Sequence, residues 1–166
     1  MKKLWDLFRG KSSAGQGRHK ESTSGLDFFN RISGTLEIEL SEPAKPVGNL
    51  LNVAASPDAE ICSIKLRPYF IEEDADDGRD LTPDELALVV IPQPTIRLRG
   101  EGGSVVEHQA PNREHFTVAD LLQAIEETER RTRGESEWLG GVDVHHIYFE
   151  GIAKDSDGSW MILWGS

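Results

Sequence analysis

Polar and apolar residues alternate in short segments along this chain, and a period of two leaves little choice but β-sheet with one wet face. Leu36, Ile38 and Leu40 alternate with Glu37 and Glu39, and Cys62, Ile64 and Leu66 alternate with Ser63, Lys65 and Arg67. Thr95–Arg99 repeats the pattern. Gly100-Glu101-Gly102-Gly103 then supplies a turn before Ser104–His108, which predicts a hairpin. One-sided strands of this kind favour antiparallel pairing. Two further strands are expected at Val142–Ile152 and Ser159–Trp164. In the second, Trp160, Ile162 and Trp164 share one face while Met161 and Leu163 share the other, so it is expected at the centre of a sheet or beneath a helix.

Helix signals are fewer. Thr82-Pro83-Asp84-Glu85 combines a capping hydroxyl, a proline at the first helical position and two carboxylates near the positive helix end. The β-branched run Val89-Val90-Ile91, followed by Pro92 and Pro94, keeps that helix short. The stronger helix starts at Thr117, with Asp120 three residues on and Phe116 placed to pack on Leu121. Leu121, Leu122, Ile125 and Thr128 form its inner face, and Arg130–Arg133 with Gly134 end it. The predicted fold class is α+β: an antiparallel sheet packed on one face by one main helix, Val118 to about Arg133, behind a flexible basic amino-terminal tail.

Charge divides the chain in the same place. Residues 1–20 carry six cations and one anion, a net of +5, whereas the other 146 residues carry −16 within a total of −11. Leu4, Trp5 and Phe8 fall on one face of a short amphipathic helix, with Lys2, Arg9 and Lys11 around it. Residues 10–25 contain no Leu, Ile, Val or aromatic residue and read as a linker. Residues 1–25 are therefore a basic amphipathic segment and linker, and residues 26–166 a single acidic domain. Peripheral contact with a membrane through residues 1–11 is one use of such a segment, and recruitment to a partner is another.

Several function classes are disfavoured. The acidic body lacks the clustered cations that phosphate neutralisation requires, so nucleic acid is not an expected partner. Cys62 is the only cysteine, which excludes an intrachain disulfide, and its alternating position predicts a buried side chain. The longest apolar stretch, Leu86–Ile91, is far short of a membrane span, and a bacterial-type cytoplasm is the expected setting. No phosphate-binding glycine loop and no nucleophile elbow is present.

Two segments hold the remaining chemistry. In Asp143-Val144-His145-His146-Ile147-Tyr148-Phe149-Glu150, a strand would put His145 and His146 on opposite faces, with His146 and Glu150 on the same one. That pairing is the basis for an alternative reading as a metal-assisted enzyme, with His108 or His115 as a third ligand. The favoured reading gives these histidines structural hydrogen bonds, and assigns no catalytic residue, no metal and no cofactor. Asp155-Ser156-Asp157-Gly158 resembles the start of a calcium loop but lacks the later ligands, so a turn is expected. The run from Glu72 to Asp80 holds six carboxylates, and Asp74, Asp76 and Asp77 are its candidate binding residues for a basic protein. The expected function is a non-catalytic protein-interaction or adaptor domain, recruited through Leu4, Trp5 and Phe8. The alternative within that class is a small acidic inhibitor of a basic partner, as immunity and antitoxin proteins are.

Overall fold

The computed structural model describes residues 24–47, 53–73, 75 and 77–166. The chain runs α1 (Gly25–Phe29), β1 (Ile32–Leu40), β2 (Lys45–Pro46), β3 (Val53–Ala54) and β4 (Ile61–Phe70). It continues through α2 (Pro83–Leu86), β5 (Val89–Ile91), β6 (Thr95–Arg99), β7 (Val105–Gln109) and β8 (Phe116–Thr117). After α3 (Val118–Thr132) come β9 (Glu137–Trp138), β10 (Gly141–Val142), β11 (Tyr148–Lys154) and β12 (Trp160–Gly165). The protein is mixed α+β, mostly strands with few helices.

Six strands form the main sheet in the order β4-β1-β11-β12-β6-β7. The sheet is mixed rather than antiparallel throughout, because β12 pairs with β6 in parallel, Trp160 beside Leu98 and Met161 beside Arg99. Alternation along a strand records which faces are wet and carries no information on a neighbour's direction. Here the chain leaves β6, passes through β7 and α3, and returns by β11 before β12 arrives alongside. The predicted hairpin forms between β6 and β7. β12 is central, between β11 and β6.

One core cluster joins strand and helix residues: Leu36, Leu98 and Phe149 from the sheet with Val118, Leu121 and Ile125 from α3. Each helix begins as its residues require. Thr82 and Thr117 cap α2 and α3, each with a capping box completed by Glu85 or Asp120. The β-branched Val89-Val90-Ile91 forms β5 against β8 instead of extending α2.

Cys62 is exposed, not buried. Between Glu39 and Leu40 the register of β1 with β4 shifts, since Glu39 faces Ser63 but Leu40 faces Ile61. The extra residue at Cys62 moves it off the inward set to which Ile64 and Leu66 belong. The expected strand Val142–Ile152 is also broken: β10 ends at Val142 and β11 starts at Tyr148, with five irregular residues between. Among the described residues no helix is long and apolar enough to cross a membrane.

Candidate functional site

Toward its carboxyl end the inner face of α3 changes from apolar to polar without reaching solvent. Thr128, Glu129, Thr132 and Arg133 are all buried, and Glu129 and Arg133 have no exposed surface. Arg133 Nε lies 2.8 Å from Glu129 Oε2, a pair one helical turn apart. Glu129 Oε1 accepts from the Glu101 backbone N–H at 3.1 Å and from the Trp164 indole Nε1–H at 3.0 Å. Arg133 donates through Nη2 to the His146 carbonyl at 3.0 Å, and its guanidinium lies 5.2 Å from the Trp164 ring centre. Burial pushes the Glu129 carboxyl up, against the downward pull of Arg133, the Glu101 amide and the Trp164 indole. Arg133 Nη1 is buried without a partner, which adds to the desolvation cost.

The Gly100–Gly103 turn that carries Glu101 is pressed onto the same helix end. A Cβ on Gly100 would come within 2.0 Å of Thr132 Oγ1, and one on Gly102 within 2.1 Å of the Thr132 carbonyl oxygen. Glycine at both positions is what allows this approach.

On the other side, Asp143 is 3% exposed and organises the irregular segment. Its Oδ1 accepts the backbone N–H groups of His145 at 2.8 Å and His146 at 3.1 Å, while Oδ2 lies 2.8 Å from His146 Nδ1. Burial opposes ionisation of this carboxyl, yet the His145 amide, the His146 ring and the His146 amide hold it below the usual range. As a carboxylate it only accepts, so the proton between them belongs to His146 Nδ1. These bonds explain why no strand forms here: the side chain of Asp143 satisfies N–H groups that a ladder would otherwise use.

The β9–β10 hairpin closes over the two histidines. Trp138 stacks on His145 at 4.9 Å, 12° from parallel, and meets His146 edge-on at 4.9 Å. Its two-residue turn, Leu139 and Gly140, has φ of 51° and 84°. Positive φ at both central residues matches the twist of a tight hairpin, although Leu139 adopts it at a cost and is 55% exposed. The outcome is a cluster the sequence did not bring together. One ligand-type atom from each of Glu101, Asp143 and His146 lies within 4.8 Å of the other two, the group of this kind found among the described residues.

Glu150 is not in that group and sits exposed on β11. His145 and His146 are neighbours, with ring centres 5.2 Å apart, instead of occupying opposite faces of a strand. His108 Nε2 is 2.8 Å from Thr128 Oγ1, and His115 Nε2 is 3.0 Å from the side chain of Asn112. Burial, then the charge of Arg131, lowers the His108 pKa against the influence of Glu127. Asp155–Gly158 forms a turn, with Asp157 bound to Ser159 and Arg99.

A second surface flanks α1. Val89 carries the carbonyl against which Gly25 rests, and Phe28 of α1 stacks on Phe70 at 5.4 Å, immediately before Ile71. Ile71, Leu88 and Val89 are 43, 42 and 44% exposed. The same elements bear the exposed carboxylates Asp27, Glu72, Glu73, Asp77, Asp80 and Asp84. Arg79 is occupied: it pairs with Glu72 at 2.8 Å and Glu85 at 2.7 Å. Of the candidate binding residues, Asp77 belongs to this surface, whereas Leu4, Trp5, Phe8, Asp74 and Asp76 lie outside the described residues.

Sequence reasoning missed Glu101, Glu129, Arg133 and Asp143. The available signals were Asp143 two and three residues ahead of the histidines, and a polar continuation of the inner face of α3 through 129, 132 and 133. The chain matches no protein-family model, and comparison with curated proteins and with solved structures finds no match.

Proposed function

We propose that this chain is a non-catalytic cytoplasmic protein-interaction domain that receives a basic partner on the surface around α1. In this reading α3 backs one face of the six-stranded sheet and the basic amino-terminal segment ahead of α1 is a tail that recruits the domain. The observation that carries the reading is the coincidence of three exposed apolar side chains, Ile71, Leu88 and Val89, with six exposed carboxylates that outnumber Arg31, over the Phe70 ring, and the paired Arg79. Apolar residues contribute affinity by burial, and a predominantly acidic rim steers an oppositely charged partner and disfavours like-charged ones.

The test is capture from cell extract with the full chain, the double variant Leu88→Glu/Val89→Glu, and Met161→Glu as a control on another exposed apolar site. The reading expects basic proteins retained at low salt by the full chain and by Met161→Glu, released as salt rises, and lost from the double variant. Identical retention by all three, or none by any, contradicts it.

A further inference from the structure

We propose that Glu101, Asp143 and His146 form a binding site for a divalent transition-metal ion of the zinc or manganese class. Three features carry this beyond the proximity of three side chains. The first is donor chemistry. Two carboxylates and one imidazole suit borderline first-row ions, and three protein ligands leave one or more positions open. A site of carboxylates alone would have pointed to calcium or magnesium.

The second is burial. Asp143 is 3% exposed, with three donors arranged around its carboxyl group. Trp138 stacks on His145 and meets His146 edge-on, which helps to fix the orientation of the imidazole that would bind the ion.

The third is the support behind the ligands. The two loops that supply them start from distant parts of the chain, and both are tied to one buried ion pair. Glu129 holds the backbone of Glu101, and Arg133 holds the backbone of His146. A fully buried pair gives little net stability compared with apolar residues of similar size, so its clearest product here is position. The guanidinium near His146 is faced by the Glu129 carboxyl at 2.8 Å, and the two carboxylates among the ligands attract a cation. Hydrogen bonds that end on the main chain of two ligands are what a site requires if its side chains are to stay within a few tenths of an ångström of their places. This inference is independent of the docking surface around α1, which shares none of these residues.

The experiment uses the full chain, stripped of metal with a chelator, and titrates zinc or manganese alone by calorimetry, with metal content measured after dialysis. The expected result is one ion per chain, with affinity at least tenfold weaker in Glu101→Gln and in His146→Gln and circular dichroism unchanged. Glu101→Gln is the informative variant, because among the described residues Glu101 enters the hydrogen-bond network through its backbone N–H and not through its side chain. Glu150→Gln and Cys62→Ser should bind as the parent does. The proposal is overturned if neither metal binds stoichiometrically, or if affinity falls in the Glu150 or Cys62 variants and is untouched at Glu101 and His146. If His146→Gln loses its fold, Glu101→Gln still decides the matter by the same readout.

Discussion

Glu129 and Arg133 are the residues at which the energetics are most uneven. Removing one partner strands a buried charge, whereas removing both leaves an apolar gap that can be filled. Glu129→Leu alone should therefore cost about 3–5 kcal/mol in urea unfolding. Glu129→Leu with Arg133→Met should recover part of that loss, because no charge is left stranded although the Glu101 amide, the Trp164 indole and the His146 carbonyl lose their partners. A double variant as unstable as the single one would show that the pair stabilises by itself. Neither role was legible in the sequence: Glu and Arg four apart usually mark a wet helix face, and burial here follows from what packs on the end of α3. Cys62 gives the reverse lesson. Its alternation was regular, and a single bulge in the pairing of β1 with β4 turned it outward.

Elements were more readable than residues wherever local chemistry decides them. The capping boxes of α2 and α3, the end of α2 and the β6–β7 hairpin all follow from side chains within a few positions of the feature. Thr117→Ala should cost about 1 kcal/mol through loss of the cap. Ile125→Ala, at a fully buried position of α3, should cost about 2–5 kcal/mol through the cavity it leaves. Similar losses at both sites would show that capping and packing are not separable there. At the start of α2, Arg79, first among the causes, and the Thr82 backbone amide lower the Glu85 pKa to about 2. The folded state therefore binds this proton less readily than the unfolded chain does. Its contribution is present above the unfolded value near 4.5 and is lost as pH falls through about 2. Acid titration of stability should be flatter between those limits in Glu85→Gln, and an identical slope would contradict the pairing with Arg79. Strand direction and the break between β10 and β11 were not legible, since both depend on partners far away in the chain or on a side chain competing for backbone groups.

At the scale of the whole molecule, charge rather than topology was the readable property. The division between a basic segment and an acidic body is visible without any structure, and carboxylates crowd the surface around α1. If residues 1–20 act as a tether, deleting them should leave the thermal midpoint within about 2 °C, because a Gly/Ser-rich linker contributes few buried contacts. A larger drop would place Trp5 and Phe8 in the core. What composition could not reveal is that two distant loops meet at one helix end. That convergence is the central claim: the pair Glu129–Arg133 fixes the Glu101 turn and the Asp143–His146 segment in relation to each other. Amide hydrogen exchange in the double variant Glu129→Leu/Arg133→Met tests it most directly. The amides of His145 and His146 bond to Asp143 and touch neither substituted side chain. They should exchange at least tenfold faster than in the parent, a loss of about 1.4 kcal/mol of local protection, while the Ile125 amide within α3 is unchanged. Unaltered protection at both histidines would contradict the claim, leaving Asp143 and Trp138 to hold the segment without the buried pair.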